Sequence, residues 1–107
     1  MTSETWSKGE MAGKDAKERW NKRSGKFADM KIPEKDDGYI SLILETSGNN
    51  LKEKDILDIG CGSGIWSMAL ADEVRSVIGV DIADKMIGHA NEKASSEGFS
   101  NTKYMAA

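Results

Sequence analysis

The stretch Ile56-Leu57-Asp58-Ile59-Gly60-Cys61-Gly62-Ser63-Gly64 constrains the fold more than any other part of this chain. Ile56–Ile59 reads as a short buried strand that runs straight into a loop of alternating glycines. Ile65-Trp66-Ser67-Met68-Ala69-Leu70-Ala71 follows, an apolar run long enough to open a helix. Glycine has no Cβ, so it takes positive φ readily and lets a ligand approach the backbone. The helix behind the loop aims free N–H groups and the positive end of its dipole back into it. Strand, glycine loop and helix start together make a cradle for a nucleotide-like ligand or an anionic group.

The rhythm downstream repeats the unit. Ser76-Val77-Ile78-Gly79-Val80 is rich in β-branched residues and reads as a second strand. A helix is expected from about Asp84 to Glu97, with Met86, Ile87, Ala90 and Ala94 on one face, Asp84 as N-cap and Gly98 as its stop. Thr102–Ala106 opens a third strand. Strands joined through helices pair in parallel with right-handed crossovers, so the fold class is α/β.

Upstream, residues 1–13 show little periodicity and read as a loose arm. Ala16, Trp20 and Phe27 share one helical face between about Asp15 and Asp29, although Gly25 weakens an unbroken helix. Pro33 suits the first turn of a second helix, with Tyr39, Leu42, Ile43 and Thr46 on its apolar face and Gly48 at its end. The expected organisation is a helical segment over residues 1–50 and a strand–helix unit over 51–107.

A length of 107 residues fits one small domain with a modest core. No apolar run approaches the roughly 20 residues of a membrane span, and the N-terminus lacks the basic-then-apolar pattern of a secretory signal. One cysteine excludes an internal disulfide and suits a reducing cytoplasm. Residues 1–31 carry net charge +3, and residues 32–107 carry −6. The basic segment could touch RNA or an anionic substrate, but its charges are interspersed, as on a solvated helix face, and the acidic remainder argues against the whole chain being a nucleic-acid clamp, so nucleic acid is not the expected partner.

The second half of the site pattern sharpens the first. Asp81 ends the second strand, twenty-one residues after Gly60. A carboxylate there can accept hydrogen bonds from both hydroxyls of a ribose. The dinucleotide fingerprint G-x-G-x-x-G is met only by Gly60 and Gly62, because Ile65 stands at the third glycine position. That counts against a nicotinamide oxidoreductase.

Asp58-Ile59-Gly60-Cys61-Gly62-Ser63-Gly64, followed by Gly79-Val80-Asp81-Ile82-Ala83-Asp84-Lys85-Met86, closely resembles the class I S-adenosylmethionine-dependent methyltransferases. The resemblance covers about Asp55 to the C-terminus. The segment from Trp20 to Ala28 also resembles the N-terminal helix of many small-molecule members. It implies a partial Rossmann-like, methyltransferase-type parallel sheet of about three strands with flanking helices and two N-terminal helices. The implied cofactor is S-adenosylmethionine or S-adenosylhomocysteine.

The resemblance also implies roles by position. Gly60, Gly62 and Gly64 would let the loop pass close to the methionine part of the cofactor, with Cys61 between them. Asp58 would hold the loop and attract the cofactor's ammonium group. Asp81 would bind the ribose, and Ile82 and Met86 would pack beside the adenine. Plainer roles stand beside these: Asp58 as a cap for loop amides, Asp81 as a turn residue, and Cys61 as a small packing residue. His89 reads as a partly exposed helix residue, Trp66 and the methionines as core, and no cluster suggests a metal. No catalytic residue is assigned.

The family's sheet has seven strands, so this chain is expected to supply its cofactor half, as the N-terminal part of an enzyme whose isolated form is inactive. The expected acceptor in the parent is a small molecule. A binding or self-associating module without turnover is the alternative. The first strand, with no fourth strand beside it, is expected to leave an exposed apolar edge that favours a homo-oligomer.

Overall fold

A computed structural model describes residues 8–48 and 50–107, and its architecture is a three-stranded parallel sheet flanked by helices. The elements are α1 (Lys8–Arg23), α2 (Gly38–Thr46), β1 (Asp55–Ile59), α3 (Ile65–Leu70), β2 (Ser76–Asp81), α4 (Asp84–Ser96) and β3 (Thr102–Ala106). The strands lie in the order β1-β2-β3, with Ile59 paired to Val80 and Gly79 paired to Tyr104. This arrangement brings the C-terminal ends of β1 and β2 side by side, and the glycine loop leaves from that end.

The core forms where helices meet the sheet. Met86, Ile87, Ala90 and Ala94 are the buried residues of α4, as its periodicity predicts. Met68, Ile87, Ala90, Ala94 and Tyr104 pack in one cluster between α3, α4 and β3. Ile40 of α2 is fully buried against Ala69 and Leu70 of α3. Gly98 ends α4 with φ of +78°, as a left-handed C-terminal stop requires.

The N-terminal half departs from its expected boundaries. Helix α1 begins at Lys8, inside the stretch expected to be a loose arm; residues 1–7 of that arm lie outside the described residues. It ends at Arg23, and Ser24–Lys26 form a 3₁₀ turn around Gly25, so Phe27 lies past the helix. Helix α2 begins at Gly38, not at Pro33. The Asp37 carboxylate accepts hydrogen bonds from the Tyr39 and Ile40 amides, which fixes the start five residues later. On this helix Ile40 is buried, whereas Tyr39 and Leu42, expected on the apolar face, are exposed.

Strand β1, apolar enough for burial, forms an edge of the sheet, with Leu57 61% and Ile59 77% exposed. The exposed apolar edge inferred from the sequence is present. Helix α4 also differs at its start. Asp84 is its first residue, and the N-cap position belongs to Ala83, which has no side chain able to cap.

Candidate functional site

The glycine loop is held by backbone bonds to β2. The Gly60 and Cys61 amides both donate to the Val80 carbonyl, at 2.8 and 3.0 Å, and the Gly64 amide closes a turn on the Cys61 carbonyl at 3.0 Å. Gly60, Gly62 and Gly64 take φ of +71°, +57° and +78°, so the alternation of glycine is a backbone requirement. A Cβ on Gly60 or Gly62 would meet nothing within 4 Å, which leaves the loop's backbone open to a ligand. Gly64 differs: its Cβ would lie 2.8 Å from the Tyr104 ring.

Tyr104 is the residue the sequence reading missed. Its ring lies over Gly79, where a Cβ would come within 2.4 Å of it. Its hydroxyl is 2.9 Å from the Ser67 hydroxyl, and both hydroxyls lie 3.2 Å from the Gly64 carbonyl oxygen. Strand β3 is thereby tied through α3 to the end of the loop. Burial pushes the Tyr104 phenol up to about 12, so it stays protonated and able to donate. The available signal was Gly79 in mid-strand, since a glycine there marks a close approach by another group.

Asp81 ends β2 at the mouth of this loop. One carboxylate oxygen accepts from the Gly62 amide at 2.9 Å, and the other accepts from the Ala83 amide at 2.8 Å. A carboxylate has about four acceptor sites, so each oxygen keeps one free. That pair of free acceptors suits two adjacent hydroxyls.

A cavity of about 610 Å³ opens beside these groups, within the range of small-ligand sites. Gly60, Cys61, Gly62, Asp81, Ile82 and Met86 line it, so six of the eight expected site residues converge there. Gly64 shapes the loop from behind. Asp58 lines a neighbouring groove along β1 with Trp66 and Ser67, and the Gly62 amide donates to Asp81, not to Asp58. Burial raises the Asp58 carboxyl above its usual range, and the Asp81 charge adds to this, while the Ser67 hydroxyl works the other way. Burial, with the Asp58 and Asp81 charges, pushes the Cys61 thiol up to about 12, which rules out a thiolate nucleophile near neutrality.

The cavity has aromatic walls that its glycines do not announce. Trp20, Phe27 and Met30 come from the N-terminal segment, and Trp66 from α3. Trp66 was expected in the core, yet it is 43% exposed, with its ring edge-on to Tyr39 at 5.3 Å. Among the described residues, no group of three or more acidic, histidine or cysteine side chains is placed to hold a metal. No helix among them is long and apolar enough to cross a membrane.

Comparison with known proteins bears on this geometry. Residues 56–107 match the family model described as a methyltransferase domain. A 23S rRNA (uracil(1939)-C(5))-methyltransferase of Marinomonas sp. is 41% identical over 59 residues, covering 55% of this chain and 13% of that protein. A SAM-dependent methyltransferase from Aquifex aeolicus superposes with a TM-score of 0.62 at 26% identity, covering 81% of this chain and 46% of that one. Magnesium protoporphyrin IX methyltransferase from Synechocystis PCC 6803, solved with bound SAH, gives a TM-score of 0.55 at 30% identity, covering 66% and 32%. The chain thus spans less than half the length of each. The rRNA methyltransferase corrects one expectation from the sequence: the case against nucleic acid as a partner is overturned, because the chain's similarity extends to an enzyme named for an RNA substrate. Net charge had argued otherwise.

Proposed function

We propose, on the premise that this chain belongs through residues 56–107 to the class I S-adenosylmethionine-dependent methyltransferases, that its cavity binds S-adenosylmethionine and its demethylated product. The observation that carries this is the Asp81 carboxylate, braced by two amides and keeping one acceptor site per oxygen, beside an open glycine loop. The residues present suit such a ligand. Asp81 would accept the ribose hydroxyls, Ile82 and Met86 would flank the adenine, and the backbone from Gly60 to Gly64, with Cys61, would border the methionine part. Asp58 would act at longer range, attracting the ammonium group and bracing the strand end.

When bound, the cofactor supplies a sulfonium methyl group for transfer. The chain's own contribution is to hold and orient. Trp20 and Trp66 line the cavity, and aromatic side chains of this kind can attract cations. Catalysis would rest on positioning the acceptor in line with the methyl group.

A small-molecule acceptor is the first reading, supported by the N-terminal helix segment that closes one side of the cavity. An RNA acceptor is the second, supported by the rRNA methyltransferase among its relatives and the net +3 charge of residues 1–31. A cytoplasmic setting is supported by the single cysteine, which has no partner for an internal disulfide. Equilibrium dialysis with radiolabelled S-adenosylmethionine tests the shared premise. Retention of label that excess S-adenosylhomocysteine displaces, and NAD does not, is the expected result; equal displacement by NAD would sink this reading.

A further inference from the structure

Helix α4 starts without a cap of its own. Its N-cap residue is Ala83, so the free amides of its first turn need acceptors from elsewhere. One is supplied by α1. The Asn21 side-chain oxygen accepts from the Lys85 amide at 3.1 Å, and its nitrogen donates to the Asp84 carboxylate at 2.9 Å. Lys17 lies 3.8 Å from the same carboxylate. Asn21 is 64 residues away from the amide it caps, so this is a tertiary cap that joins α1 to the segment leaving Asp81.

The neighbouring residue gives that cap a consequence. Trp20 lines the cavity, tilted against Phe27 at 6.3 Å and carrying Arg23 about 6.0 Å from its ring. Ile82, which also lines the cavity, lies 3.7 Å from where a Cβ of Gly13 would stand, so α1 also runs close to it. Both ends of the Asn21 amide are thus fixed to the residues that follow the Asp81 wall, and Trp20 is carried beside them.

We propose that Asn21 is a positioning residue for the cofactor site. By capping α4 it fixes α1 so that Trp20 closes one side of the cavity, and bound cofactor and seated α1 then stabilise each other. This rests on the reading that the cavity takes S-adenosylmethionine or S-adenosylhomocysteine. Asn21 itself touches no ligand; it acts through Trp20 and the start of α4.

Hydrogen exchange on the full chain, with and without S-adenosylhomocysteine, tests the proposal. Saturating ligand should slow exchange at residues 60–64 and also over residues 13–23. In Asn21→Ala the loop should still be protected at saturation, α1 should not, and the dissociation constant should rise about threefold to tenfold, the worth of one or two hydrogen bonds. The Trp20→Ala background separates positioning from general damage, because coupled residues fail to add. Adding Asn21→Ala to Trp20→Ala should then weaken binding by less than twofold more. Protection of the loop with none in α1, or a full second loss in the double variant, overturns the proposal and leaves the cofactor reading intact. No protection in either region overturns both. Should Asn21→Ala fail to fold, the wild-type exchange pattern still decides.

Discussion

The Asp81 carboxylate and the Gly62 amide are joined by a 2.9 Å hydrogen bond, so the residue that ends β2 holds the loop that leaves β1. The same carboxylate accepts from Ala83 and so fixes the entry to α4. A single side chain thereby sets the spacing between the glycine loop and the apolar wall of Ile82 and Met86. Asp81→Ala leaves two amides without that acceptor. It should destabilise the chain by about 1–3 kcal/mol, measured by urea unfolding. A loss under 0.3 kcal/mol, on the order of experimental error, would mean that water replaces both bonds.

Gly79 and Gly60 should respond differently to the same substitution. A Cβ on Gly79 would lie 2.4 Å from the Tyr104 ring and 2.9 Å from the Cys61 sulfur, both packed in place. Gly79→Ala should cost about 1–3 kcal/mol as an overpacking change. Gly60→Ala meets no atom within 4 Å, so its cost is the positive φ alone, about 1–2 kcal/mol, while its methyl group obstructs the ligand side of the loop. Thermal melts with ligand titration should show Gly79→Ala as a stability defect that excess ligand partly rescues, and Gly60→Ala as a binding defect with milder loss of stability. The reverse ranking would refute the packing described for Tyr104.

Asp37 is the cap that sets where α2 begins, through bonds to the Tyr39 and Ile40 amides. Asp37→Ala should cost about 1 kcal/mol, in the usual range for an N-cap. Because Ile40 seats α2 against Ala69 and Leu70, the loss should appear in global unfolding and not only in local fraying. Circular dichroism melts compared with exchange at the α2 amides would check both parts.

Asp58 gives a pH dependence whose sign follows from its environment. Burial raises its folded-state carboxyl above the ordinary value of 3.8. The folded chain therefore holds that proton more tightly than the unfolded chain does. The associated stability is full below the unfolded value and is lost as pH rises through the raised folded value. Asp58→Asn removes the buried charge, so it should raise the melting temperature at pH 7. The gain should shrink toward zero as pH falls below about 4. A gain that persists unchanged into acid would show that the effect is not the ionisation of Asp58.

The sequence carried the sheet well because its signals are local. Gly60, Gly62 and Gly64 each need positive φ, Gly98 stops α4, and the apolar spacing of Met86, Ile87, Ala90 and Ala94 fixes a face. Where two local signals competed, the reading failed. Pro33 offered a helix start, and Asp37, with a side chain able to accept two amides, took it. Tertiary arrangements were less legible still. Nothing local says that Tyr104 lies over Gly79, or that Asn21 caps a helix 64 residues on. Trp66 looks like core by type, yet it is 43% exposed and lines the cavity.

On the reading proposed above, the glycine loop and Asp81 form one binding site for S-adenosylmethionine or its product. Isothermal calorimetry with S-adenosylhomocysteine on the folded chain tests it most directly. One site per chain is expected, with Asp81→Ala weakening it at least tenfold, about the worth of a charge-assisted hydrogen bond. Folded protein that gives no heat at millimolar ligand, or an Asp81→Ala variant that binds as tightly as the wild type, would contradict it.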